Sequence, residues 1–572
     1  MSVNQETFFN DFAAFADALN GVAKLRELIL QLAVQGKLVP QDADDEPAAV
    51  LLAKIKAEKE RLIQEKKIKK SEPLPPIDAN EEPFDLPQGW EWSRLSEVGL
   101  TNPRNQVDDD KEASFIPMTL IPASYGASVQ SEKRLWKDMK GGFTHFAEDD
   151  VGLAKITPCF QNGKSAVMRG LINGVGAGTT ELHIFRPLAG LMSSDYVLLY
   201  LKSPYFIETG IPKMTGTAGQ KRVPNDYFSN NPFPLPPLAE QRRIVAKVDH
   251  LMALCDELQA RQQRQQTARV RLNNAALEGM LTARTPTEFA EHCQRICDNF
   301  DLLYDAPETV TALRQAILQL AVQGKLVPQN PNDEPIHNTL KRVLERRAML
   351  VRNKKVRAKK HDDSATFAEQ DSLPGTWTLE RLGNLVDPEN AISYGVLVPG
   401  NDVTDGVPFV RAQDLSLTSH PERPNKTISP DIEKAYSRTR LKGGEILLCV
   451  VGSIGKLGIV PLSWAGANIA RAVARILAVP EIDRDYLLIV LQSQQVQTYF
   501  TAATRTLAQP TLNVGLIEQT LIPLPPLAEQ CRIVAKVDQL MALCDELEAK
   551  LRRAQSHSAK LMTATVQHLA TA

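Results

Sequence analysis

A stretch of 27 residues occurs twice in this chain of 572 residues, once from Pro234 to Ala260 and once from Pro523 to Ala549. The first copy reads PLPPLAEQRRIVAKVDHLMALCDELQA, and all but three positions are identical in the second copy at an offset of 289. The differing pairs are Arg242/Cys531, His250/Gln539 and Gln259/Glu548. Repeats that stack into solenoids have periods of about 20 to 50 residues. A period this long therefore indicates that half of the chain has been duplicated.

Two further blocks support the duplication. Ile29–Gln41 is identical to residues 317–329, and LPQGWEWSRL from Leu86 matches LPGTWTLERL from Leu373, which aligns Trp90 with Trp377. The blocks follow one another in the same order in both halves. Each half is therefore predicted to contain a helical region, a linker, a globular segment and a long helix.

The length of the chain exceeds what a single hydrophobic core normally supports. We predict these segments: an N-terminal helical region (1–70), a linker (71–85), a first globular domain (86–237), a long helix (238–285), a central helical region (286–360), a linker (361–372), a second globular domain (373–526) and a second long helix (527–572). The helical regions show apolar residues at helical spacing, from Phe8 in the first copy, and the linkers are polar or rich in proline.

The globular segments contain short apolar or β-branched runs separated by Gly, Pro and Asn turns, which predicts a mixed α/β fold with a strand-rich core. Examples are Glu181–Phe185, Glu445–Val451 and Ala472–Leu477. Between their shared edges the two segments have little sequence in common. Shared edges with different interiors are typical of one scaffold that presents two different recognition surfaces.

Each long helix carries apolar residues at alternating spacings of four and three, which predicts a coiled-coil seam. The two seams are Ile244, Val248, Leu251, Cys255 and Leu258, and Ile533, Val537, Leu540, Cys544 and Leu547. No proline follows Leu238 until Pro286, so the first helix is expected to reach about 70 Å at roughly 1.5 Å per residue. We expect the two seams to pack on each other, antiparallel, with the globular segments held apart.

Basic helices follow the repeated ILQLAVQGKLVPQ block in both halves. Residues 48–70 contain eight Lys or Arg and three Glu, and residues 341–360 contain ten and one. A charge run is usually a solvated face, but contact with the DNA backbone needs only such a face. Contact with a partner protein and contact with DNA both stay open for these helices.

Composition narrows the class of protein. The formal net charge is −2, there is no apolar run of the 18 to 20 residues that a membrane span needs, and the N-terminus lacks the features of a signal peptide. These features predict a cytoplasmic protein whose nucleic-acid binding, if any, comes from local patches. The seven cysteines have no paired CxxC spacing, so neither a zinc site nor a disulfide framework is expected.

We find no catalytic constellation in the sequence. Gly163-Lys164-Ser165 resembles the end of a phosphate-binding loop, but the glycine required five residues earlier is Pro158, and a turn before a strand is the better interpretation. No Asn or Asp precedes a Pro-Pro-Tyr or Pro-Pro-Phe sequence of the kind that holds a flipped base for methylation. The carboxylates of PDIEK at Pro430 lie too close in sequence to suggest a metal-dependent nuclease.

Polar and basic side chains in turns of both globular segments are suited to DNA, because Arg and Lys pair with guanine while Gln and Asn pair with adenine. Any single residue is more often a surface or phosphate contact than a base contact. The candidates are Lys155, Gln161, Asn162, Lys164, Arg169, Gln220, Lys221 and Arg222 in the first segment, and Arg411, Gln413, Lys442, Lys456, Asn468, Arg471, Arg505 and Gln509 in the second.

Taken together, the duplicated blocks, the KITPCFQNGKSA run at Lys155 and the VGSIGKLGIV and AQPTLN runs at Val451 and Ala508 resemble the specificity subunits of type I restriction-modification enzymes. The resemblance covers nearly the whole chain. It implies an α+β fold with two target-recognition domains joined by two long antiparallel coiled-coil helices, an internal pseudo-two-fold duplication and extra helical segments.

The resemblance also implies a function without catalysis of its own. Each domain would read one part of a bipartite, asymmetric site on double-stranded DNA. Two modification subunits that bind S-adenosylmethionine would methylate adenine, and restriction subunits would use ATP and Mg to cleave. The long helices would then act as a ruler between the two parts of the site.

Two alternatives come from other classes of protein. A coiled-coil scaffold without sequence specificity would have two halves that are alike throughout, which the dissimilar globular segments disfavour. A fused enzyme with its own methyltransferase or nuclease is disfavoured by the missing motifs.

Overall fold

The computed structural model describes residues 20–70, 74–217, 219–356, 373–504 and 511–571. Residues 8–19 of the predicted N-terminal helical region and the whole linker 361–372 lie outside these ranges. The chain divides into two compact units, a first unit of residues 1–266 and 554–572 and a second unit of residues 267–553.

The first unit combines short helices with three sheets in its described residues. Its helices are α1 (Gly21–Val34), α2 (Ala48–Gln64), α3 (Leu95–Val98), α4 (Ser194–Lys202), α5 (Pro204–Gly210), α6 (Asn225–Asn230) and the first part of α7 (Leu238–Thr282). Its strands are β1 (Glu91–Arg94), β2 (Gly99–Thr101), β3 (Glu112–Ile116), β4 (Glu132–Leu135), β5 (Thr144–Ala147), β6 (Val151–Ala154), β7 (Ser165–Val167), β8 (Val175–Gly178), β9 (Leu182–Pro187) and β10 (Pro232–Leu235). The sheet orders are β1-β10, β2-β9-β6-β7 and β4-β3-β8-β5.

The second unit repeats this plan. Its helices are α8 (Pro286–Asp298), α9 (Phe300–Leu303), α10 (Pro307–Val322), α11 (Ile336–Arg352), α12 (Leu382–Leu385), α13 (Pro430–Ala435), α14 (Arg484–Gln492), α15 (Gln494–Thr504), α16 (Val514–Gln519) and the first part of α17 (Leu527–Thr571). Its strands are β11 (Thr378–Arg381), β12 (Ser393–Tyr394), β13 (Val407–Val410), β14 (Lys426–Ile428), β15 (Ile446–Cys449), β16 (Leu457–Ile459), β17 (Asn468–Ile469), β18 (Val473–Ile476) and β19 (Leu521–Leu524). The sheet orders are β11-β19, β12-β18-β15-β16 and β14-β13-β17.

The two globular segments share a sheet plan that their sequences conceal. In each unit a four-stranded antiparallel sheet contains a hairpin, β6–β7 or β15–β16, and a second sheet contains one parallel pair, β3–β8 or β13–β17. The predicted strand runs correspond to β9, β15 and β18. Ser165 begins β7, so Gly163-Lys164 is the predicted turn before a strand.

The predicted fold class is confirmed. Helices α7 and α17 contain 45 residues each, and each unit holds the start of one and the end of the other. Met562 and Val566, near the end of α17, belong to the core of the first unit, and Leu277 and Met280, near the end of α7, belong to a core cluster of the second. In an antiparallel pair the start of one helix lies beside the end of the other, and each unit contains such a combination.

The seam residues are buried or partly buried, but the expectation that the two seams pack on each other is corrected, because each seam lies in the core of its own unit. Ile244, Val248, Leu251 and Cys255 lie in the same core as the apolar face of α1, with Leu258 at its margin. The matching core of the second unit combines α10 with the seam of α17: Ile533, Val537 and Cys544 are buried there, and Leu540 and Leu547 pack at its margin. The repeated helices α1 and α10 carry apolar residues that also need burial and that are identical from Ile29–Val34 to Ile317–Val322, so each of them covers the seam of its own unit.

Polar contacts fix these short helices on the long ones in a repeated way. Arg26 of α1 bonds to Asp256 at 2.6 Å and to Gln259 at 2.8 Å. Arg314 of α10 bonds to Asp545 at 2.7 Å and to Glu548 at 3.2 Å.

Candidate DNA-recognition surface

The Ala-Glu-Gln that opens each long helix is bonded into its own unit. Glu240 is almost fully buried and accepts hydrogen bonds from Trp90 Nε1 at 2.9 Å and Gln41 Nε2 at 3.1 Å. Glu529 accepts from Trp377 Nε1 at 3.1 Å in the same way. Burial raises the pKa of both glutamates, while the bonds from the tryptophans oppose that rise.

The following glutamine joins the long helix to the helix behind the sheet. Gln241 Oε1 accepts from Ser193 N at the start of α4, and Gln530 Oε1 accepts from Asp483 N at the start of α14. Both glutamines also donate to a proline carbonyl of the PLPP sequence. The inward residues of the repeat are therefore alike because each unit makes the same internal contacts.

Repeated glycines end the helices that cover the seams. Gly36 and Gly324 have φ angles of +69° and +68°, and a Cβ atom on either would lie about 2.4 to 2.5 Å from Pro87 or Pro374. Only glycine combines this left-handed conformation with so close an approach. This contact explains why GKLVPQ and the LP that precedes each repeated tryptophan occur together in both halves.

Three segments meet at one edge of the β2-β9-β6-β7 sheet in the first unit. They are the β6–β7 connection (155–164), the turn before β9 (179–181) and residues 219–223 before α6. Lys155 N donates to Glu181 O at 2.9 Å, Val223 N donates to Lys155 O at 2.8 Å, and Thr157 donates to Lys221 O through both its amide and its hydroxyl. We call this edge the first recognition edge.

Seven of the eight sequence candidates of this unit lie on loops of the first recognition edge and have their side chains at least partly exposed. Gln161, Asn162, Gln220 and Lys221 are exposed and make no side-chain hydrogen bond within the described residues. Lys155 is half-buried beside them. Arg222 forms an ion pair of 2.8 Å with Glu181, which lowers the pKa of that carboxyl.

The tip of the β6–β7 connection is held from behind. Lys164 Nζ donates to Met118 O at 3.2 Å, so this candidate is partly occupied by a structural contact. Lys202, at the end of α4, donates to Gly163 O and to Ala123 O, both at 2.8 Å. Lys202 is 8% exposed, and its burial lowers the pKa of its ammonium group to about 7.

The second unit has an equivalent edge, which we call the second recognition edge. Val450 N donates to Ala472 O, and Leu512 N donates to Val450 O, so residues 450–456, 470–472 and 511–512 meet as their counterparts do in the first unit. Lys456 takes the place of Lys164 and donates to Ala412 O and Gln413 O, both at 3.3 Å. The frame is thus common to both edges, while the connecting loop differs in length and chemistry.

Comparison with known proteins agrees with the resemblance found in the sequence. A family model described as the type I restriction modification DNA specificity domain matches residues 393–554. The chain is 40% identical over 564 residues to the specificity subunit of the type I restriction enzyme EcoAI from Escherichia coli, an alignment that covers 95% of this chain and 94% of that one. The chain belongs to the specificity subunits of type I restriction-modification enzymes.

Other members of the family align as well. The specificity subunit of the Escherichia coli enzyme EcoEI is 38% identical over 550 residues, with 94% of this chain and 92% of that one covered. Among solved structures, the HsdS subunit from Thermoanaerobacter tengcongensis is 23% identical, with a TM-score of 0.41 and coverage of 84% of this chain and 98% of that chain.

The function of this specificity subunit is recognition of DNA sequence, as the resemblance found in the sequence implied. The positions of the remaining candidates refine that statement. Arg471 is exposed at the second recognition edge, and Gln413 is exposed beside Lys456. Arg505 and Gln509 lie outside the described residues.

Three candidates lie in other surroundings. Arg169, beyond the far end of β7, is paired with Asp149 at 2.8 Å and Asp195 at 2.9 Å. Lys442 precedes β15 and so lies at the end of that strand opposite to residues 450–456. Arg411 folds back on Asp414 of its own turn.

The prediction of Asn468 as a DNA contact is corrected by its position in the structure. It is completely buried; its Oδ1 accepts from Thr439 Oγ1 at 2.7 Å, and its Nδ2 donates to Tyr436 O at 3.0 Å. A side chain without exposure and with both ends satisfied has no atom left for DNA. Its polarity serves the junction between β17 and the turn at 437–439.

Sequence reasoning missed the correspondence between the two hairpin tips and the residues that hold them. The signal available in the sequence was the Gly-Lys pair that occurs at 163–164 and again at 455–456. In the structure both glycines have positive φ angles, as expected for equivalent turns. It also missed Leu397 and Val398, which are 54% and 71% exposed in the loop after β12. No helix within the described ranges is long and apolar enough to cross a membrane.

Proposed function

We propose that each recognition edge of this specificity subunit reads one part of a bipartite, asymmetric site on double-stranded DNA. The single observation that carries the proposal is the common frame with different loops: residues 155–164 connect β6 to β7, whereas the shorter segment 450–456 connects β15 to β16. Two equivalent edges with different chemistry suit two different half-sites. A scaffold without sequence specificity would have no need for this difference.

In this proposal two modification subunits with bound S-adenosylmethionine methylate adenine, and restriction subunits use ATP and Mg to cleave, while the specificity subunit contributes no catalysis. The complex works in the cytoplasm, where cellular DNA lies. Support for two identical partners comes from the outward face of the repeat. Ala246, Ala253 and Leu254 are exposed and identical to Ala535, Ala542 and Leu543, and no contact among the described residues of either unit explains their identity.

For the basic helices we favour contact with a partner subunit, with the DNA backbone as the alternative. One face of α2 is already used inside the unit, because Ala48, Leu51 and Ile55 are buried. Lys59 on the same helix donates to Ser96 O, and burial lowers the pKa of its ammonium group. The remaining charges of α2 and α11 are left for partners.

The experiment that tests the main proposal is a genome-wide map of methylated adenines in cells with and without this chain. We expect one bipartite motif, with two short specific parts and an unread spacer, to lose methylation when the chain is absent. Replacement of Gln220 and Lys221 by Ala should then alter only one of the two parts. A motif without a spacer, or no dependent motif at all, would refute the proposal.

The ruler role of the long helices has its own test. Four residues are inserted into each long helix, between 266 and 267 and between 553 and 554, where the two units divide. One extra turn adds about 6 Å at roughly 1.5 Å per residue, close to two base pairs. We expect the methylated motif to gain two bases of spacer, and an unchanged spacer would count against the ruler.

A further inference from the structure

The tip of the hairpin is held by one side chain from the helical layer in each unit. In the first unit this side chain is Lys202, whose Nζ spans Gly163 O and Ala123 O at 2.8 Å each. In the second unit Gln497 of α15 holds the equivalent carbonyl, because its Nε2 donates to Gly455 O at 3.1 Å and to Leu491 O at 2.7 Å. The equivalent carbonyl in each unit, Gly163 O or Gly455 O, thus accepts a hydrogen bond from a helical side chain, although the two side chains differ in type and in their position in the fold.

Lys202 also connects the hairpin to the long helix. The segment that it holds at Ala123 is bonded on either side, since Ser165 N donates to Pro122 O and Tyr125 donates to Asp249 of α7 through a hydrogen bond of 2.7 Å. Lys202 therefore lies between the loop that carries Gln161 and Asn162 and the segment that rests on α7.

A buried lysine at position 202 lowers the stability of the fold more than an apolar residue would. The side chain is nearly fully buried, burial lowers the pKa of its ammonium group, and that group has no ion-pair partner within the described residues. Burying an amine without a counter-charge lowers stability unless its hydrogen bonds are met. A methionine would fill the same space without that penalty but would leave two carbonyls without this donor.

We infer that Lys202 and Gln497 are positioning residues for DNA recognition, each of which fixes the hairpin tip of its own recognition edge and thereby sets base discrimination in one half-site. Neither residue needs to touch DNA. The inference rests on the proposed division of the site between the two edges. Base contacts require placement within a fraction of an ångström, so a hairpin that has lost this bond at its tip should still bind phosphates but should read bases poorly.

The test uses the specificity subunit assembled with its modification subunits and duplexes that carry the methylated motif. Binding is measured for the motif, for duplexes with a single base pair changed in either half, and for a duplex without the motif. In the unaltered complex each change should weaken binding by about tenfold or more. If the unaltered complex fails to discriminate in both halves, the proposed function itself fails.

For Lys202→Met we expect the discrimination in one half to fall to within about twofold, with the other half and the duplex without the motif unchanged. Gln497→Met should do the reverse, and it tests the inference alone if the first variant does not assemble. General destabilisation would lower the active fraction on all duplexes alike and leave the ratios as they were. Unaltered ratios for an assembled variant, or equal losses in both halves, would overturn the inference.

Discussion

The buried contact between Trp90 and Glu240 allows a quantitative comparison of the two halves of one chain. Trp90 is 5% exposed and Glu240 is 1% exposed, so the indole N–H cannot turn to water when its acceptor is removed. An unsatisfied buried donor lowers stability by roughly 1 to 3 kcal/mol, and bonds to charged groups are worth roughly 1.5 to 3 kcal/mol. Gln41 is exposed and can bind water instead, so it adds little.

We therefore expect Glu240→Ala to lower the local free energy of unfolding by about 2 kcal/mol, with part of the loss offset because a buried carboxylate is removed. A double-mutant cycle with Trp90→Phe should give a coupling energy of roughly 1.5 to 3 kcal/mol. The equivalent pair in the second unit is the matched control. There Glu529 Oε1 accepts both the bond from Trp377 at 3.1 Å and one from Gln329 at 3.3 Å, while Oε2 is buried without a hydrogen-bond partner among the described residues.

Because the bonds of Glu529 are longer and share one oxygen, we expect the coupling between Glu529 and Trp377 to be about half as large. Native-state hydrogen exchange with mass spectrometry resolves the two sites, since peptides from each half can be followed separately in one molecule. Coupling energies that are equal in the two units, or a value near zero for the first, would refute this reasoning.

Three further predictions concern other parts of the chain. Gly324→Ala should lower the free energy of unfolding of the second unit by at least about 1 to 2 kcal/mol, because the left-handed backbone and a Cβ contact of 2.5 Å with Pro374 both oppose alanine. Amide hydrogen exchange should rise in the second unit and not in the first. Burial lowers the pKa of His183, near Lys155 and Glu181, to about 4, so protonation favours the unfolded state. The first unit should therefore lose up to about 3 kcal/mol of its free energy of unfolding as pH falls from 6.5 to 4. Hydrogen exchange measured against pH should show this loss, and His183→Gln should abolish it. Arg471→Ala should weaken binding to DNA that carries the motif by about 1 kcal/mol or more, whereas Lys442→Ala, beyond the other end of β15, should leave binding unchanged in a titration at fixed salt.

Local patterns in the sequence predicted much of this fold. The long helices α7 and α17 and three strands, β9, β15 and β18, follow from helical and strand periodicity, which acts over a few residues. The family also follows from the sequence, because the PLPPLAEQ blocks and the ILQLAVQGKLVPQ blocks identify it. The reason why those blocks are alike became clear only from contacts such as Trp90 with Glu240, which join residues 150 positions apart.

Tertiary structure decided which apolar face covers which and which polar residues are accessible. The seams of the long helices gave no sign that α1 and α10 would cover them, because an apolar stripe specifies burial but not its partner. Asn468 and Arg471 look alike as candidates three residues apart, yet one is sealed inside the fold and the other is exposed at an edge. Accessibility depends on long-range packing, and no local pattern contains it.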